Sequence, residues 1–287
     1  MRLGIFAKTY ERPSVEEAFA AAAADGLTAL QFNFVVAGLT PMPDAIDPAV
    51  VARVRRAADA HGVEIVSLSA TFNLIHPDPA VREAGQRRLT VLAGVCGEFG
   101  ARVLSLCTGT RDPDDMWRRH PDNDAPAAWE DLLAGIGRAV VTAERHDLLL
   151  GVEPEPGNVV SDAQRASRLL DEVGSARVGI VLDPANLIEG VAPGRVDAAI
   201  DEGVQLLGRR TILAHGKDRD AAGAVQPPGR GVVPWPRFLG GLRSAGFSGP
   251  LILHGLPEAA VPAAVSHLRA VLAEPASGDH PERPASR

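Results

Sequence analysis

Short apolar runs alternate along the chain with longer segments in which apolar residues recur every three or four positions. The apolar runs cover 3–7, 29–32, 64–68, 103–107, 148–153, 178–183, 211–215 and 251–254. The amphipathic segments between and after them cover 14–25, 47–61, 79–99, 125–146, 162–173, 195–207, 235–245 and 259–272. Apolar strands without polar alternation are buried on both faces, as in parallel sheets covered by helices. The pattern therefore predicts eight strand-then-helix units in succession. Glycine in "DGLTAL", "HGVEIV", "FGARVL" and "AGFSGPLIL" stands just after a helix and just before a strand. Its access to the left-handed conformation suits it to end a helix there. Ser14 stands three residues before Glu17, the spacing of a capping box at the first helix. Eight such units predict an α/β fold, a single-domain (β/α)8 TIM barrel, over residues 1–273. Residues 274–287, rich in Pro, Ser and charge, are expected to form a disordered tail. A doubly wound open sheet is the rival, but it favours a glycine-rich first turn, and "AKTYERPS" has no glycine.

Composition narrows the function classes. The 287 residues are 46% hydrophobic and 23% charged, enough for one large core. A net charge of −7 with no basic stripe argues against a nucleic-acid partner. Cys96 and Cys107 are the only cysteines and have neither metal-type spacing nor the numbers for a disulfide framework. The opening "MRLGIFAKTYERPS" has no long apolar stretch, and no window of eighteen apolar residues occurs. A cytoplasmic protein that does not enter membranes is expected.

In a (β/α)8 barrel the chemistry sits at the C-terminal ends of the strands, so the residues that end them matter most. The fifth strand ends at Glu153, with Glu155 just beyond; the sixth ends at Asp183. The seventh ends at His215, followed by Lys217 and Asp218, and the eighth ends at His254. The earlier strands end in Lys8, Asn33, Ser69 and Cys107. Two carboxylates and two imidazoles converging on one point would hold a divalent metal such as Mn, Mg, Zn, Co or Fe, and the lack of thiolates argues against structural zinc. The plain alternative is that each is a polar strand-end residue held by loop hydrogen bonds. Around them, Glu155 is a candidate for substrate hydroxyls, and Asn186 for a ligand or substrate contact. Lys217 and Arg230 are candidates for a substrate phosphate or carboxylate. His76 either lines the pocket or belongs to the lead-in to the third helix. Trp117 either stacks on a sugar face or packs. Asp218 is a candidate to orient His215 or Lys217. The long loop 108–125 is expected to cover the site as a lid, so that deleting 114–123 would hurt activity far more than stability.

"VEPEPGN", "VLDPANL", "HGKD", "GRGVVPW" and "GFSGPLILHG" occur in that order. With them, and with "TFNLIHPDPAVREAG" and "LCTGTRDPDDMW", nearly the whole chain resembles the sugar phosphate isomerase/epimerase superfamily, the xylose isomerase-like TIM barrels. The resemblance implies a divalent metal held by Glu153, Asp183 and His215, with a strand-eight Glu as the usual fourth ligand. Here that position is His254, with Glu258 close by as a candidate replacement. A second His of the family, three residues after the strand-six Asp, is Asn186 here. The three-metal DNA-repair endonucleases of the superfamily need further histidines where Ser69 and Cys107 stand, which disfavours a nuclease. The implied activity is isomerisation or epimerisation of a small sugar or sugar phosphate through an enediolate, with Glu153 as base and His254 on the opposite face. A dehydratase of inosose or dehydroshikimate type and a non-catalytic sugar-binding barrel are the alternatives. Barrels of this kind associate through helix faces or loops, so a homo-oligomer of unspecified number is also an expectation.

Overall fold

The computed structural model describes residues 1–274. Its strands are β1 (Arg2–Phe6), β2 (Ala29–Phe32), β3 (Glu64–Ser69), β4 (Val103–Leu106), β5 (Leu149–Val152), β6 (Val178–Leu182), β7 (Thr211–Gly216), β8 (Asp218–Arg219), β9 (Val225–Gln226) and β10 (Pro250–Leu253). Eight of them close a parallel barrel in the order β1-β10-β7-β6-β5-β4-β3-β2, while β8 and β9 pair as a small antiparallel ribbon after β7. The helices are α1 (Val15–Ala24), α2 (Pro48–His61), α3 (Pro79–Cys96), α4 (Pro126–Arg145), α5 (Ala163–Val173), α6 (Pro184–Leu187), α7 (Val196–Leu207), α8 (Trp235–Ser244) and α9 (Val261–Ala273). The fold is thus the single-domain (β/α)8 barrel that the apolar pattern predicts. No described helix is long and apolar enough to cross a membrane. The expectation of a tail over 274–287 lies, beyond Glu274, outside the described residues.

Local chemistry explains the boundaries. Ser14, Asp47, Asp78 and Asp162 each accept a hydrogen bond from a backbone N–H in the first turn of α1, α2, α3 and α5, which satisfies donors a helix leaves orphaned. Glu17 completes the capping pair through the Ser14 hydroxyl, 3.2 Å away. Gly62 and Gly174 end α2 and α5 at φ +62° and +61°, a conformation costly for a residue with a Cβ. Three features differ from the expected pattern. The segment 97–99 tightens into a 3-10 turn, α6 is a single extra turn, and the β8–β9 ribbon interrupts the loop after β7. Each is too short to leave a periodic signal.

Alternation along each strand sorts side chains between two cores. Leu251 and Leu253 join the large cluster between barrel and helices, whereas Ile252 joins a small one with Phe6, Ala29, Val181 and Leu213. This small cluster fills the barrel and forms a floor beneath the residues that follow. Gly151 makes room in it: a Cβ there would meet Val181 Cγ2 at 2.7 Å.

The loop 108–125 is a fixed wall rather than a free lid. Three buried asparagines stitch it down. Asn73 donates to Thr110 O (2.8 Å), and Asn123 donates to Gly157 O (3.1 Å). Asn158 accepts from Gly109 N (2.7 Å) and donates to Met116 O (2.9 Å). Deleting 114–123 would therefore remove buried hydrogen-bonding groups and cost stability as well as activity, contrary to the expectation from loop length. Asp218 also departs from expectation: its carboxylate does not reach His215 or Lys217. It accepts from Val233 N and Trp235 Nε1, both at 3.0 Å, and from Gly229 N at 3.0 Å, shaping the loop that leads into α8.

Candidate metal centre

Glu153, Asp183, His215 and His254 meet at the C-terminal mouth of the barrel. One donor atom from each lies within 4.8 Å of all the others. Each is placed by the pleat. Glu153 follows β5 and its N–H still donates to Leu106 O (2.9 Å); His254 follows β10 and donates to Gly216 O (3.3 Å). Asp183 follows β6 and caps α6, taking the Ala185 N–H on Oδ1 at 2.9 Å and leaving Oδ2 for the mouth. His215 lies within β7, two residues beyond the floor residue Leu213.

Hydrogen bonds fix the donors. Gln31, buried at the end of β2, donates through Nε2 to Ser105 Oγ (3.1 Å). Its Oε1 faces His215 Nε2 at 2.9 Å, an acceptor that favours the tautomer with the proton on Nε2, in which Nδ1 offers its lone pair to a cation. Nδ1 lies 2.9 Å from Glu153 Oε1. Across the site His254 Nε2 lies 3.0 Å from Asp183 Oδ2. Lone pairs facing at such distances repel unless a proton or a cation is shared between them, so the donor set fits a divalent cation. Lys217 supplies part of the positive charge: its Nζ is 2.9 Å from Asp183 Oδ2 and donates to Asn186 Oδ1 at 2.7 Å. Asn186 in turn donates to Glu153 Oε1 (3.3 Å) and Pro154 O (3.1 Å).

The electrostatics follow from burial and these pairings. Burial alone would raise Glu153 and Asp183. The facing His215 and His254 outweigh it for Glu153, and Lys217 and His254 outweigh it for Asp183, so both stay below the usual carboxylate range. Burial would lower Lys217, but Asp183, Glu155 and Glu153 hold it above the usual range. His254 is lowered by burial and by the neighbouring His215, whose ring centroid is 4.3 Å away. Glu155 is pushed up to about 8 by burial and then by Glu153.

The other candidates have different placements. Glu155 and Asn186 adjoin the cluster. Lys217 reaches it, but its ammonium is committed to Asp183 and Asn186. His76 spends both ring nitrogens on backbone, Nε2 on Pro113 O (3.1 Å) and Nδ1 on Asp78 N (3.0 Å), so it ties two loops together and has no polar atom left for a substrate. Arg230 is exposed, and among the described residues its guanidinium makes no hydrogen bond or ion pair. Trp117 is 50% exposed, with its carbonyl packed over Gly157. Glu258 is paired with Arg12 (2.8 Å) and does not replace His254. Cys107 is buried with its thiol toward Phe72 O, and no second convergent group of His, Cys, Asp and Glu occurs among the described residues. Gln31 went unnoticed in the sequence, although a polar residue in the apolar run "ALQF" marks an inward position.

Solved structures share this architecture. The 3-keto-D-glucoside 4-epimerase YcjR from E. coli is 15% identical, with TM-score 0.71 over 94% of this chain and 99% of that one. D-psicose 3-epimerase from Clostridium cellulolyticum H10, solved with D-tagatose, is 17% identical, with TM-score 0.71 over 95% and 99%. A xylose isomerase-like TIM barrel protein from Mycobacterium smegmatis, solved in complex with magnesium, is 16% identical, with TM-score 0.69 over 90% and 87%. At these identities the likeness is one of fold. The sequence family is matched across residues 19–271, and on that match the chain belongs to the xylose isomerase-like TIM barrel family.

Proposed function

We propose that the chain is a divalent-metal-dependent isomerase or epimerase of a small sugar or sugar phosphate. The observation that carries this reading is the convergence of Glu153, Asp183, His215 and His254 within 4.8 Å at the barrel mouth. Glu153, Asp183, His215 and His254 would hold the metal, which when bound supplies electrophilic stabilisation to charge developing on adjacent substrate oxygens. The chain's own residues then account for proton movement. Glu153 Oε1 accepts from Asn186 and faces His215 Nδ1 across the cluster, which leaves Oε2 to take the proton from a carbon beside a carbonyl. His254, at the end of β10 and three strands round the barrel from β5, is the group placed to exchange a proton on the other face. Lys217 and Asn186 keep the two carboxylates apart and oriented. A proton-returning isomerisation needs Glu153 alone; an epimerisation needs His254 as well. The two keto-sugar epimerases of the same fold support the substrate class.

One observation favours a second reading, a sugar-binding barrel without catalysis: Lys217 already supplies a positive charge to Asp183. Metal uptake separates the two. Dialysed protein should bind Mn or Zn stoichiometrically, and solvent deuterium should enter the carbon-bound position of a turned-over ketose or aldose. Glu153→Gln should abolish that exchange with the fold intact by circular dichroism. A protein that takes up no metal, or a Glu153→Gln variant that retains most exchange, would overturn the proposal; loss of water from the substrate would redirect it to a dehydratase.

A further inference from the structure

Lys8 stands in the 3-10 turn Ala7–Thr9 directly after β1, on the same rim as the metal cluster. β1 pairs with β10, with Ile5 beside Leu253, so the ends of these strands carry Lys8 and His254 to adjoining positions. Between them lies a cleft of about 680 Å³, with Phe6, Lys8, Thr9, His254 and Leu256 among its walls. That volume falls in the range of small-molecule sites. The Lys8 ammonium lies 4.6 Å from the centroid of the Phe6 ring, a contact that favours a cation without neutralising it.

The acids nearby do not claim this cation. Glu258 lines the cleft but is held by Arg12 through both of its oxygens. Glu11 lines it too, and among the described residues neither Glu11 nor Lys8 makes a side-chain ion pair. The other cations considered for a substrate anion are unsuited: Lys217 is committed to Asp183 and Asn186, and Arg230 does not line this cleft. We propose that Lys8 anchors an anionic group of the substrate, a phosphate or a carboxylate, in the cleft between β1 and β10, with the hydroxyl-bearing part of the molecule reaching His254. This rests on the sugar-processing reading of the same site and names its substrate class as anionic.

Calorimetric titration of the full chain, both metal-free and equilibrated with Mn, tests it with D-fructose, D-fructose 6-phosphate and D-glucuronate as probes. At least one anionic probe should bind about tenfold or more tightly than D-fructose, and which one does so distinguishes phosphate from carboxylate. Lys8→Met should erase that preference, Lys8→Arg should retain most of it, and neither should change Mn uptake, since Lys8 touches none of the four donors. Anionic probes that bind no better than D-fructose, or a preference that survives Lys8→Met, overturn the assignment. Absence of Mn uptake by the unaltered chain would instead remove the catalytic reading, while the preference stays measurable in the metal-free titration.

Discussion

Gln31→Leu tests how the site aims its donors. Gln31 is 3% exposed and keeps its volume on this change, but the variant loses both the contact to His215 Nε2 and the donation to Ser105 Oγ, 2.9 and 3.1 Å long. His215 Nε2–H is then left buried without an acceptor, which costs about 1–3 kcal/mol of stability in the metal-free protein. The larger consequence is orientation. With nothing to fix the proton on Nε2, the ring loses the constraint that aims the Nδ1 lone pair at the cluster. Removing such an outer hydrogen bond lowers metal affinity roughly 10–100-fold, or about 1.4–2.7 kcal/mol at 1.36 kcal/mol per factor of ten. Competition with a chromophoric chelator measures the affinity, and urea unfolding of the metal-free protein measures the stability. An affinity within twofold of the unaltered protein would refute the argument that Gln31 sets the His215 tautomer. Gln31→Glu retains an acceptor at the same place and should recover most of the loss.

Two further changes probe other parts of the rim. His254→Glu replaces one of two imidazoles by a carboxylate; because imidazole suits Zn and carboxylate suits Mn and Mg, the ratio of Mn to Zn affinity should rise by an order of magnitude or more in chelator competition, and an unchanged ratio would take His254 out of the ligand set. Asn158→Ala leaves Gly109 N–H and Met116 C=O buried without their partner, so unfolding stability should fall by about 2–4 kcal/mol; a fall below 1 kcal/mol would mean that the 108–125 wall is not held as described.

The barrel was legible because its signals are local. Glycines 26, 62, 100 and 246 sit where "DG", "HG", "FG" and "AG" end helices, and all have positive φ. The inward direction of Glu153, Asp183, His215 and His254 followed from strand ends alone. What the sequence could not supply was partnership. Gln31 and His215 are 184 residues apart, and only closure of the sheet makes them neighbours. Lys217 and Arg230 looked equivalent as cations, yet Lys217, directly after β7, lands on Asp183, whereas Arg230 stands in an exposed loop. Asp218 looked like a companion to His215, but its buried carboxylate is claimed by a turn of N–H groups and an indole. Loop length suggested a lid over 108–125 whose loss would spare stability, because length carries no record of three asparagines buried beneath it.

Lys217 bears on the order of events in the life of this protein. Its ammonium sits on the oxygen of Asp183 that faces the mouth, so the newly made barrel brings its own counterion to its acid pair. A site of bare carboxylates would oppose closure of the sheet until a metal arrived, as in small domains that fold only around zinc. Here closure needs no metal, and on the proposed reading metallation would follow it. On the proposed metal-dependent reading, the choice among metals would then fall to a finished pocket and to the supply around it, and a metal would be lost and regained without unfolding.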